Sequence, residues 1–146
     1  MPNPILRPFR STDVVLITNR DGSSGLTEVI CAQATQGVAW TAEIAGRPIG
    51  CGGVIPIWSG MAVCWLLFGE EICRYPVWIT RTVRRLVGDL TRVWALTRLE
   101  AVVLETSVRN QRWLESLGFT LEQNGIARAY LPDHRSMIRY ERIENS

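Results

Sequence analysis

Between Val38 and Phe68 the chain holds three strand-length apolar runs separated only by tight turns, and this spacing leaves few folds open. "VAWTAEIAG" alternates, Gly46 and Arg47 turn the chain, "PIGCGGVIPIW" follows, and Ser59-Gly60 leads into "MAVCWLLF". Connections this short join antiparallel neighbours, because a parallel pair needs a crossover of a dozen or more residues. The three runs therefore predict an antiparallel meander. Gly50, Gly52 and Gly53 thin its middle strand, which predicts a bulge or a close approach of another backbone.

A long helix follows "GEEICRYP". Ile79, Val83, Leu86, Leu90 and Val93 recur at helical spacing and form an apolar stripe, with Arg81, Arg85 and Arg92 on the solvated side. "RLEAVVLET" then reads as a buried strand, and the helical crossover makes it parallel to "MAVCWLLF". A short helix from about Gln111 to Leu117 stops at Gly118. "FTLE" and "ARAYLPDHRSMIRYERI" supply the last strands, as a hairpin turning at Asn124-Gly125. Ahead of the meander, Ile5 to Pro8 reads as an edge strand, because Pro4 and Pro8 bar it from a sheet centre. Ser11-Thr12-Asp13 offers a cap for a helix over "VVLITNR". Leu26, Val29, Ile30 and Ala34 mark a second helix that ends by Gly37. The order is β-α-α-β-β-β-α-β-α-β-β, an α+β fold with a mixed central sheet.

A chain of 146 residues with 47% apolar content and six tryptophans is expected to form one domain, residues 1–146, around a single core. No apolar run reaches the length of a membrane-spanning helix, and "MPNPILRPFR" is not a signal peptide, so a cytoplasmic location without a membrane partner is expected. The net charge of +2 is too small to imply nucleic acid. All sixteen basic residues are Arg, for which a GC-rich coding sequence is the plain cause. Cys31, Cys51, Cys64 and Cys73 show no paired ligand spacing with each other or with the one histidine, so no metal site is expected. Each lies in an apolar segment and is expected to be a buried free thiol.

"NQRWLESLGF" changes the argument from class to family. With this element order it resembles the GNAT superfamily of acyl-coenzyme A-dependent N-acyltransferases, whose closing helix-to-strand motif commonly reads Tyr-Glu-Lys-Leu-Gly-Phe. The Arg-Trp-Leu variant is similar in style to small GNAT-like proteins of tailed phages. The resemblance implies that "MAVCWLLF" and "RLEAVVLET", the fourth and fifth strands, run parallel and splay apart, with acetyl-coenzyme A as co-substrate in the resulting cleft. The family's pyrophosphate loop, Arg/Gln-x-x-Gly-x-Gly/Ala, corresponds to "RYPVWI". Arg74 is kept, but Val77 and Ile79 replace both glycines, and Pro76 removes one N–H donor. A Tyr that protonates the leaving thiolate in many members is here Leu114.

The resemblance implies roles for particular residues. Backbone N–H groups around Leu67 and Phe68 polarise the thioester carbonyl. Arg74, Tyr75, Val77, Arg81 and Arg112 lie toward the phosphates, while Ser107 and Asn110 hydrogen-bond the pantetheine arm. Glu70, Glu71 and Glu105, with Glu43 as a further option, are candidate general bases that take a proton from the attacking ammonium. Tyr130, or Tyr75, is the candidate acid. Two functions follow: acyl transfer to a small or protein amine, or a GNAT-shaped protein without catalysis that binds a partner as a virion component or an inhibitor of a host protein. The altered loop and Leu114 point to the second, and likeness of fold alone does not separate the two, because function belongs to the site.

Overall fold

A computed structural model of the chain describes residues 3–18, 26–104, 108–127 and 137–143. Its elements run β1 (Ile5–Pro8), α1 (Asp13–Thr18), α2 (Leu26–Ala34), β2 (Val38–Ile44), β3 (Arg47–Trp58), β4 (Met61–Phe68), a 3-10 turn (Glu70–Arg74), α3 (Pro76–Val93), β5 (Arg98–Leu104), α4 (Val108–Ser116), β6 (Thr120–Ala127) and β7 (Met137–Ile143). This is the α+β order expected of the sequence, with the 3-10 turn as an addition. The strands form a seven-stranded mixed sheet in the order β1-β2-β3-β4-β5-β7-β6, and β1 lies at its edge as the two prolines require. β4 and β5 are parallel, in register from Met61↔Arg98 to Cys64↔Ala101. β1/β2, β2/β3, β5/β7 and β6/β7 are antiparallel. Residues 65–68 and 102–104 continue past the end of the parallel register. Among the described residues, no helix is long and apolar enough to cross a membrane.

The chain packs as two compact units. The first comprises Met1–Ile55 and Trp65–Leu86. Val14, Ile30, Cys51, Ile55 and Trp65 form its core, and Phe9 meets Trp65 edge to face with ring centroids 5.9 Å apart. The glycine-thinned β3 makes room for this ring. A Cβ at Gly53 would lie 2.7 Å from Trp65 Nε1 and 2.5 Å from the Val38 carbonyl oxygen. A bulge is also present, but nearer the hairpin: the β2/β3 register shifts between Ala42 and Glu43, so that Ile49 has no opposite residue. The β2–β3 turn is Ala45-Gly46 rather than Gly46-Arg47. Arg47 pairs with Ile44 and opens β3. Both turn residues have positive φ, 48° and 80°, as a two-residue type I′ hairpin demands.

The sequence offered Asp13 as part of a helix cap, but its carboxylate serves the sheet. Asp13 is 1% exposed and accepts hydrogen bonds from Arg7 Nη1 (3.0 Å) and Nη2 (2.7 Å), the Arg10 N–H (2.8 Å) and Thr41 Oγ1 (2.7 Å). Arg7 Nε also donates to Glu43 at 2.6 Å. Desolvation alone would push the Asp13 carboxyl pKa up. The hydrogen bonds from Arg7, Thr41 and Arg10 outweigh it and hold the pKa below the ordinary carboxylate value. This network ties β1, only four residues long, to α1 and β2.

The second unit comprises Pro56–Cys64 and Val87–Ser146. Leu96, Leu99, Ala101, Leu114, Phe119 and Tyr140 are buried there. Val93, expected on the apolar stripe of α3, is 72% exposed, and Val87 is buried at 7% in its stead. At about 100° per residue, Val93 falls on the flank of a face that Val87 and Ile79 share. Both helices in this unit end in Schellman geometry. After α3, Leu96 N–H reaches the Thr91 carbonyl at 2.9 Å, with Ala95 at φ 49°. After α4, Phe119 N–H reaches the Leu114 carbonyl at 3.1 Å, with Gly118 at φ 93° as the expected stop. Asn124-Gly125 is not a hairpin turn. Both residues lie inside β6, where the register against β7 slips between Leu121 and Ile126, and the extra residues form an irregularity within the strand.

Candidate functional site

β4 leaves the core of the first unit at Trp65, and its last residues, Leu67 and Phe68, are partly buried. The next residue, Gly69, donates its N–H to the Ile49 carbonyl at 2.9 Å, the residue set apart by the β3 bulge. The 3-10 turn follows. Ile72 N–H bonds the Gly69 carbonyl (3.3 Å), Tyr75 N–H bonds the Ile72 carbonyl (3.0 Å), and the Ile72 side chain is 3% exposed. On the turn's outer side, Arg47 Nη2 donates to Glu71 Oε1 at 2.6 Å.

Tyr75 passes the chain into α3. Its carbonyl accepts the Ile79 N–H at 3.0 Å, the bond that opens the helix. Pro76 has no N–H, and the N–H groups of Val77 and Trp78 stand ahead of that bond with no helical carbonyl to take them. These two donors lie at the positive end of an eighteen-residue helix, immediately after the exposed Arg74. Such an arrangement suits an anion. Of the two residues at the family's glycine positions, Ile79 turns inward at 8% exposed, whereas Val77 projects outward at 62%.

Leu67, Phe68, Glu70, Glu71, Arg74, Tyr75, Val77 and Arg81 thus fall on one continuous segment of the first unit, with Tyr75 partly buried and Glu70 and Arg81 exposed. Asn110, partly buried, and Arg112, exposed, lie on α4 in the second unit. Leu114, where the resemblance looks for an acid, is buried at 4%, and Trp113 beside it is half-buried. Glu105, Ser107 and Tyr130 lie outside the described residues. Of the candidate bases, Glu71 is held by Arg47, and Glu43 by Arg7. The expectation of four buried thiols holds for Cys51 and Cys64, where burial pushes the pKa up to about 12 and leaves the thiol inert. It fails for Cys31, half-buried, and for Cys73, which the 3-10 turn puts on the outside next to the inward Ile72. Arg47 had no sequence signal, because its partner is 24 residues away.

Solved structures share this architecture. An IAA acetyltransferase from Bacillus cereus superposes with a TM-score of 0.74 over 97% of this chain and 100% of its own, at 15% identity. For a GNAT family acetyltransferase from Elizabethkingia anophelis with acetyl-CoA bound, the TM-score is 0.73, over 99% of this chain and 100% of that one, at 16% identity. The chain has the GNAT fold. A Bacillus subtilis acetyltransferase in complex with CoA gives 0.73 over 98% of this chain and 100% of its own, at 12% identity. No protein-family sequence model matches the chain, and no curated protein does. At such identities the likeness is one of fold, and the GNAT fold hosts its chemistry through particular side chains.

Proposed function

We propose that this GNAT-fold chain is an N-acyltransferase that moves an acetyl group from acetyl-coenzyme A to an amine. The observation that carries the reading is the start of α3, where Arg74 closes the 3-10 turn that follows β4 and the N–H groups of Val77 and Trp78 come just after it. Fold neighbours solved with acetyl-CoA and with CoA support it. In this reading the two N–H groups receive one phosphate, and the planar fork of Arg74 grips phosphate oxygens from the side, helped by Arg81. Ser107 and Asn110 hold the pantetheine arm. Backbone N–H groups around Leu67 and Phe68 polarise the thioester carbonyl.

The amine nitrogen then attacks the carbonyl carbon, a C–N bond forms and the C–S bond breaks. A carboxylate removes the amine proton, and the departing thiolate takes one up. Glu70 and Glu105 are the preferred bases, because the Glu71 carboxylate already serves Arg47. Tyr130 is the proposed acid. The test is thiol release from acetyl-coenzyme A with polyamines, amino-acid amides and amino-terminal peptides. At least one amine should give turnover, and Arg74→Ala should lower kcat/KM by roughly tenfold or more, the worth of a hydrogen bond to a charged group. Turnover with none of them sinks the catalytic reading.

Leu114 favours a second reading, a protein of this fold that binds a partner without catalysis. An apolar side chain buried at 4% has no proton to give. Coenzyme A binding with no thiol release for any amine would select it.

A further inference from the structure

We infer that Arg47 is a positioning residue of the donor site, acting through Glu71 to hold the segment that carries Arg74 and the N–H groups of Val77 and Trp78; the inference rests on the donor reading above. Gly69 provides no side-chain cap for the 3-10 turn, and Tyr75, with φ −127° and ψ 51°, belongs to neither helix nor strand. Tyr75 also lacks the short polar side chain that caps helix starts, so α3 begins without that reinforcement. From below, the Gly69 bond to Ile49 and the buried Ile72 hold the segment.

Arg47 supplies a hold from the outside. It is the first residue of β3, directly after the Ala45-Gly46 turn, so it projects from a tightly closed hairpin. Its Nη2 reaches Glu71 Oε1 at 2.6 Å in the first turn of the 3-10 segment. The pair is partly open to solvent, with side chains 60% and 29% exposed, so its worth to global stability is small. Its local effect is to fasten the turn to a rigid hairpin three residues before Arg74.

The pair also bears on charge. A bare carboxylate at Glu71 would repel an anion arriving at the start of α3, and Arg47 neutralises it. Tether and charge predict opposite signs for one variant, which makes them separable. If charge alone mattered, Glu71→Gln would bind an anionic donor more tightly than wild type. If the tether matters, Glu71→Gln binds it more weakly, as Arg47→Gln does, and the exchanged pair Arg47→Glu with Glu71→Arg restores binding.

The experiment combines hydrogen exchange on the ligand-free protein with calorimetric titration of coenzyme A, for wild type, both single variants and the exchanged pair. Each single variant should speed exchange severalfold at Ile72, Tyr75 and Ile79, whose N–H bonds shape the segment, while the melting temperature moves little. Each should weaken coenzyme A binding about twofold to fivefold, the range open to an exposed ion pair, and the exchanged pair should recover both readouts. Unchanged exchange in the single variants, tighter binding by Glu71→Gln, or no recovery in the exchanged pair overturns the inference. A wild type that binds no coenzyme A overturns the donor reading and this role with it. The exchange data need no ligand, so that failure is distinguishable from the absence of a tether.

Discussion

Asp13→Ala removes the acceptor of four hydrogen bonds from a side chain that is 1% exposed. The Arg10 N–H and the Thr41 hydroxyl lose their partner, and the Arg7 guanidinium, 12% exposed, retains Glu43 at 2.6 Å. Removing one member of a buried pair costs about 3–5 kcal/mol, and the surviving Glu43 contact puts this case at the lower end, about 3 kcal/mol. For a domain of this size that is a fall in Tm of roughly 6–12 °C. The pH dependence has a definite sign. Because the folded pKa of Asp13 lies below its unfolded value, the carboxylate's contribution is present above the unfolded value, about 3.9, and is lost as pH falls through the folded one. Urea unfolding followed by tryptophan fluorescence should therefore show a wide gap between wild type and Asp13→Ala at pH 7 that narrows below about pH 4. A double-mutant cycle with Arg7→Ala should give a coupling of at least about 1 kcal/mol. A gap under about 0.5 kcal/mol at pH 7, one that persists unchanged in acid, or strict additivity with Arg7→Ala would refute the reasoning.

Three further substitutions test other parts of the account. Ala95→Gly relieves a non-glycine residue at φ 49° in the stop after α3, and should raise stability by up to about 1 kcal/mol in thermal unfolding; a loss would mean that Ala95 is unstrained. Gly53→Ala drives a methyl group to 2.7 Å from Trp65 Nε1 and should lower stability by about 1–3 kcal/mol, with a shifted tryptophan emission; wild-type stability would contradict the close approach. Leu114→Ala should cost about 2–5 kcal/mol, and more than Trp113→Ala, since Leu114 is 4% exposed and Trp113 half-buried; the reverse order would contradict this packing.

Local patterns carried most of the architecture. Two prolines placed β1 at the sheet edge, short turns set the meander, a helical crossover made β4 and β5 parallel, and Gly118 ended α4. Errors arose where a local signal had two physical uses. Asn124-Gly125 is a strong turn signal, yet it lies in an irregular stretch of β6, and Val93 fits the helical period but falls at the rim of its face. The polar interior was hidden for another reason: Arg7, Asp13, Glu43 and Thr41 meet only after the strands have paired, so no spacing announces them. At the candidate site, Arg74 and the start of α3 were legible from "RYPVWI". The inward turn of Ile79 and the Arg47–Glu71 pair depend on helix phase and on a contact across 24 residues, which a linear reading does not hold.

The central claim, that the start of α3 receives a coenzyme A thioester, is tested most directly by calorimetric titration of the wild-type chain and Arg74→Ala with acetyl-coenzyme A and free coenzyme A. The account predicts binding by the wild type at micromolar ligand, weakened by about 1.5–3 kcal/mol in Arg74→Ala as a charged hydrogen bond is lost. Equal affinities in the two proteins, or no heat from the wild type at millimolar ligand, would contradict it.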